Sequence, residues 1–136
     1  MYDWNDFLNL AFNILDDKSD NIKNETKYRI AISRAYYAAF HKAKLFYSSR
    51  KEFENLYSRG KGLHEEICNK FIDVNKGSKE FCSKCSSIGN SLTLLKKDRH
   101  QADYNGEQSI GYKMALLDCK KAKRIIDDIE NLRNNN

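Results

Sequence analysis

A chain of 136 residues suffices for one shared core and is too short for two, and with no proline and only six glycines it favours long helices over a loop-rich fold. Hydrophobic residues at 40% and charged residues at 32% exclude a disordered chain, and no apolar run approaches the roughly 18 residues of a membrane span. The net charge of +5 admits a nucleic-acid partner without requiring one, because basic and acidic residues are interspersed over most of the chain.

The start, Met1-Tyr2-Asp3-Trp4, carries acid where a secretory signal needs positive charge, so a cytoplasmic setting is expected. From about Asp3 to Asp16, Trp4, Phe7, Leu8, Ala11, Phe12 and Leu15 recur at helical spacing and predict an amphipathic helix. A polar stretch ends it, and Asn24 or Thr26 is available to cap the next helix, predicted over about Thr26 to Ser48. Ile32, Tyr36, Ala39, Ala43 and Phe46 form one face of that helix, and Ile30, Tyr37 and Leu45 form another. A helix apolar on two sides is expected at the centre of the fold, packed front and back. Arg34 and His41 share the second face, about 10 Å apart along the axis, where polar groups need partners within the fold or across a subunit interface.

Ser58-Arg59-Gly60-Lys61-Gly62 is a breaker, followed by a shorter predicted helix from about Leu63 to Val74 that should bury Leu63, Ile67 and Phe71, with His64 beside Cys68 and Phe71. After Lys76-Gly77-Ser78 a long helix is predicted to Tyr104. Its stripe of Phe81, Cys85, Ile88, Leu92 and Leu95 continues directly into Arg99. Asp103, four residues on, lies on the same face and can pair with Arg99, which burial alone would penalise. Asn105-Gly106 breaks the chain again. A last helix is predicted from about Glu107 to Leu132, with Met114, Leu117, Ala122, Ile125, Ile129 and Leu132 inward and residues 133–136 as a frayed tail. The expected fold is all-α: an antiparallel up-down bundle of four main helices and one short one, in a single domain spanning residues 1–136.

No phosphate-binding glycine loop, nucleophile elbow or zinc-protease motif is present. Cys82 and Cys85 form a lone C-x-x-C without a second ligand pair, so Cys68, Cys82, Cys85 and Cys119 are expected as reduced thiols, with no metal and no cofactor. Arginine, histidine, tyrosine and aspartate remain as possible actors.

Ser33-Arg34-Ala35-Tyr36-Tyr37-Ala38-Ala39-Phe40-His41-Lys42-Ala43 resembles the S-R-A-Y-Y-A-x-F-H-A-A signature of a prokaryotic family within the HEPN superfamily. Leu63-His64 to Phe71 resembles that family's H-x6-F segment, and Arg99-His100-Gln101-Ala102-Asp103-Tyr104 resembles its R-N-x-A-D-Y signature. The resemblance covers roughly residues 3 to 132. It implies a helical bundle that dimerises through the motif-bearing helices and works in toxin–antitoxin, antiviral defence or RNA-processing systems. Active members are metal-independent endoribonucleases with an R-x4-6-H motif at a composite dimer site. Arg34 to His41 fits that motif, as does Arg59 to His64, although Arg59 lies in a glycine-rich loop. Ribonuclease relatives carry R-N-x3-H-x-Y late in the bundle; here Tyr104 stands at the histidine position and His100 at the asparagine.

Two readings follow. In one, the domain binds RNA at a dimer cleft and cleaves it. Arg34, His41, Arg99, Asp103 and Tyr104 then line the active cleft, and Arg99, His100 and Lys97 contact RNA. Arg99 holds phosphate, Asp103 orients it and His41 carries protons. In the other, the domain is a non-catalytic assembly module for a nucleotidyltransferase, an antitoxin or another defence protein, and the same polar residues are structural or interfacial.

Overall fold

The computed structural model describes residues 1–135, and within them the chain forms five α-helices and no strand: α1 (Asn5–Asp16), α2 (Asn24–Ser49), α3 (Leu63–Asp73), α4 (Lys79–Tyr104) and α5 (Tyr112–Asn134). A single 3-10 turn, Lys51–Phe53, follows α2 and drives Phe53 into the core, an element the periodicity does not announce. Three long helices and α1 make the up-down bundle, and α3 is the short addition. No helix among the described residues is long and apolar enough to cross a membrane.

The central position expected for α2 is found: it packs against α1, α3, α4 and α5. Ala31, Ala35, Ala38, Ala39 and Ala43 are fully buried along it, and their small side chains let neighbouring helices approach closely. Tyr36 and Phe46 fill the space left between them. The second apolar face is less enclosed than its composition implies. Ile30 and Leu45 are exposed and Tyr37 is half-buried. Leu63 and Leu117, expected inside, are exposed as well.

Helix ends follow local chemistry in some places and tertiary contacts in others. Ser78 caps α4, its Oγ accepting from the Phe81 N–H at 3.0 Å. Neither Asn24 nor Thr26 caps α2; extended Lys23 precedes the helix and Asn24 is already its first residue. The final helix begins five residues later than its pattern predicts, at Tyr112. The reason is Arg29. Its Nη1 donates to the carbonyls of Gln101, Ala102 and Asn105 at 3.3, 2.9 and 3.1 Å, and its Nη2 donates to Gln108. Glu25 receives Arg29 Nε on one oxygen and Ser109 Oγ on the other, so the connection is held as a loop against α2. At the other end α5 continues through Asn134; of the expected tail, Asn136 lies outside the described residues.

Gly89 fixes where α3 lies on α4. A Cβ there would sit 2.7 Å from Ile72 Cγ1 and 2.8 Å from the Cys68 carbonyl, so the two helices touch at a spot where only hydrogen fits. That contact carries the first turn of α3, and His64 with it, toward the face of α2 that bears Tyr36, Tyr37 and Phe40. The four cysteines are free thiols, three of them buried in the core.

Candidate nucleic-acid interface

Tyr37 is the hub of the site. The guanidinium carbons of Arg34 and Arg99 lie 5.6 and 5.4 Å from its ring centre, and the rings of His41 and His64 lie 6.2 and 5.9 Å away. Three helices supply this cluster: α2 gives Arg34, Tyr37 and His41, α3 gives His64, and α4 gives Arg99. Helical spacing accounts for the α2 group, since positions 34, 37 and 41 fall on one side at steps of three and four.

Arg99 ends the buried stripe of α4, as its position in the pattern implies, and only 8% of it is exposed. Its guanidinium lies over the ring of Tyr36 at 5.2 Å and near that of Tyr104 at 5.9 Å. The aromatic faces supply favourable electrostatics but accept no hydrogen bond in the ordinary sense. Asp103 Oδ2 stands 3.6 Å from Nη1, close enough for Coulomb attraction and too far for a good hydrogen bond. The Nε atom is buried without any partner. A largely buried cation with a donor left unpaired is costly, and a bound anion would lower that cost.

The expected link from Arg99 to the polar pair on α2 exists for Arg34. Ser33 Oγ donates to Asp103 Oδ2 at 3.2 Å, and Arg34 Nη2 donates to the same Ser33 oxygen at 3.2 Å. A chain Arg34–Ser33–Asp103–Arg99 thus crosses from α2 to α4. Arg34, Ser33 and Asp103 border a groove of about 380 Å³ that also touches Thr26 and Ile30, whereas Arg99 opens on a separate depression beside Lys96 and Lys97. Arg34 rests on Phe7 of α1 at 5.2 Å as well, which fixes it from the far side.

His41 is placed differently. Its ring stacks on Trp4 at 3.7 Å, with planes 11° apart, at the α1 side of Tyr37. Burial lowers its pKa below 6.5 and the Lys44 charge lowers it further, so the ring is neutral at pH 7. Tyr104 is 70% exposed beside His100, their ring centres 5.0 Å apart, and does not cap the core. Lys97 and His100 are exposed on α4 and flank a depression of about 290 Å³ that Arg99 also lines. Arg59 is tied to Asp73 by Nε–Oδ2 and Nη2–Oδ1 bonds of 2.5 and 2.9 Å, in the α3 loop rather than at the hub.

His64 makes contacts that its place in the sequence does not announce: its ring stacks on Phe40 at 4.0 Å, and its Nδ1 is 2.6 Å from the Tyr36 hydroxyl. The available signal was its place in the H-x6-F segment, which says nothing about what the imidazole faces.

The cluster is basic and aromatic, and its Arg99, with Nε unsatisfied, also lines a depression shared with Lys96 and Lys97. That combination suits a phosphate-bearing chain with bases to stack. Among the described residues no three His, Cys, Asp or Glu side chains converge as a metal site. Comparison with curated proteins and with solved structures yields no match. The family model for the HEPN domain matches residues 4–135, nearly the whole helical bundle described above, and the chain belongs to the HEPN domain family.

Proposed function

We propose that this HEPN domain acts on RNA, gripping a backbone phosphate with Arg99 and cleaving beside it without a metal ion. The observation that carries the reading is the Arg99 guanidinium, buried with Nε unsatisfied and its nearest carboxylate 3.6 Å off. Asp103 steers that guanidinium and is itself held by Ser33, while Lys97, His100 and the exposed ring of Tyr104 extend the surface along the strand. His41, neutral at pH 7, takes the proton of a ribose 2′-hydroxyl. The 2′-oxygen then attacks phosphorus and the 5′-oxygen departs, taking a proton from solvent water, and the imidazolium of His41 later returns its own proton to solvent; the products are a 2′,3′-cyclic phosphate and a 5′-hydroxyl. Arg99 and Arg34 hold the charge of the phosphorane. Two copies joined along the open edge of α2, where Ile30, Tyr37 and Leu45 are incompletely covered, would double the cleft; a cytoplasmic toxin–antitoxin or antiviral defence system is the setting that suits such an activity.

The test is incubation of purified protein with end-labelled RNA in excess chelator. Wild type is expected to generate cyclic-phosphate ends, and both Arg99→Ala and His41→Ala to lose at least a hundredfold in rate. RNA left equally intact by all three proteins would remove cleavage from the account.

A second reading has its own support. Tyr104 occupies a position where ribonuclease relatives of the resembled family carry histidine, and Trp4 covers one face of His41. On that reading the domain is a non-catalytic partner of a nucleotidyltransferase or antitoxin. It predicts no cleavage by wild type, and a stoichiometric complex with such a protein that Arg99→Ala disrupts.

A further inference from the structure

Arg99 is not the only unspent donor at the hub. His64 belongs to a different helix and lies 35 residues earlier in the chain, yet it shares two neighbours with Arg99. The Tyr36 ring is 5.2 Å from the guanidinium carbon and 5.7 Å from the imidazole centre; for Tyr37 the distances are 5.4 and 5.9 Å.

The contact with Tyr36 determines what His64 presents. Tyr36 is fully buried, and burial raises its pKa so that the phenol keeps its proton. His64 Nδ1 is the one hydrogen-bond partner of that hydroxyl, at 2.6 Å. A buried O–H must be donated somewhere, and here Nδ1 receives it. The proton of the neutral imidazole therefore sits on Nε2. That nitrogen has no protein partner, and it is not among the buried unsatisfied atoms, so it reaches the surface. Stacking on Phe40 at 4.0 Å holds the ring in this orientation.

We infer that His64 is a second anion-binding side chain of the cleft, its Nε2–H, set by the Tyr36 phenol, donating to the phosphate group that Arg99 also grips. The inference rests on the reading of the hub as a phosphate site. The charged and titratable groups around His64 agree with it. Burial depresses its basicity most, followed by Arg99 and Lys96 on α4 and by His41 and Lys44 on α2, all of them cationic or able to become so. An anion among them would reverse those effects and raise the affinity of His64 for a second proton. The ligand class is a phosphomonoester or phosphodiester of the RNA backbone, because the neighbouring donors, a guanidinium and an imidazole N–H, match phosphate oxygens.

Nitrogen-15 histidine spectra of the full chain, titrated with 3′-uridine monophosphate, test this directly. In the free protein His64 is expected as the Nε2–H tautomer titrating below 6.5. Saturation with the nucleotide should raise its midpoint by about one pH unit and move His41 less. His64→Phe, which keeps the stack on Phe40, should weaken nucleotide binding about tenfold, and His64→Gln should restore part of it by returning a donor near Nε2. Tyr36→Phe should release the tautomer. A neutral His64 protonated on Nδ1, or nucleotide binding that leaves its signals and the affinity of His64→Phe unchanged, would overturn the inference. The two claims fail separately. Cleavage of RNA with His64 unperturbed rejects His64 alone, whereas nucleotide binding at His64 with RNA neither bound nor cut rejects the proposed action on RNA.

Discussion

Two arginines at the same end of the α2–α4 contact have opposite fates. Every guanidinium nitrogen of Arg29 has an acceptor: backbone carbonyls of Gln101, Ala102, Asn105 and Gln108 take its terminal nitrogens and Glu25 takes Nε. Arg99 is more deeply buried than Arg29 and makes no hydrogen bond among the described residues. The first is a structural clasp, and its use is visible in the folded chain. The second is a largely buried cation whose Nε has no partner and whose carboxylate, Asp103, stands 3.6 Å away, so most of its donors remain free for a ligand. Lys27 and Lys70 fall with Arg29. Lys27 Nζ donates to the carbonyls of Asp17 and Ser19, and Lys70 Nζ to that of Leu56. These satisfied cations hold loops, and Arg99 differs from them in keeping free donors.

The comparison breaks most visibly if Arg29 proves dispensable. Arg29→Met strands loop carbonyls and the Glu25 carboxylate together, so urea unfolding should show a loss of about 3 kcal/mol. Lys27→Met removes fewer bonds, to a loop that water can reach, and should cost about 1–2 kcal/mol by the same measurement. A loss for Lys27→Met larger than for Arg29→Met would contradict the ranking by donors satisfied.

The acid counterpart of Arg99 sharpens the point. Asp118 on α5 is buried with Oδ2 unpartnered, and burial, with Asp98 adding to it, pushes its pKa up to about 8 from 3.8. Below pH 3.8 both folded and unfolded chains hold the proton and the site costs nothing. As pH rises from there to about 8 the unfolded chain gives up its proton while the native carboxyl keeps it, so this group lowers stability progressively across the interval. Asp118→Asn should flatten the dependence of melting temperature on pH between 5 and 8 and raise stability at pH 8 by about 1 kcal/mol or more. An unchanged pH profile in this variant would show that Asp118 is already ionised in the native state.

How much of this was legible beforehand depends on whether the signal was local. The bounds of α1, α3 and α4 follow from apolar spacing and from Ser78, and the end of the α4 stripe at Arg99 is plain in the sequence. The late start of α5 was not legible, because Arg29 imposes it from more than 70 residues away. The exposure of Ile30 and Leu45 was hidden for a related reason: periodicity identifies an apolar face without saying what covers it. Of the site, Arg34, Arg99 and Asp103 were found by shared helical faces, but the Ser33 bridge and the turn of His64 toward Tyr36 depend on how helices pack. His41 was legible as a neighbour of the hub, though not as the partner of Trp4.

Arg99→Met tests the central claim most directly, measured in one experiment for folding and for RNA affinity. If the guanidinium is held for a ligand, the variant should unfold within about 1 kcal/mol of wild type, the lost aromatic contacts and the loose Asp103 pair being offset by relief of a buried donor left unsatisfied, while RNA binding falls tenfold or more. A variant that unfolds as readily as Arg29→Met yet binds RNA as wild type does would show that Arg99 is one more structural cation.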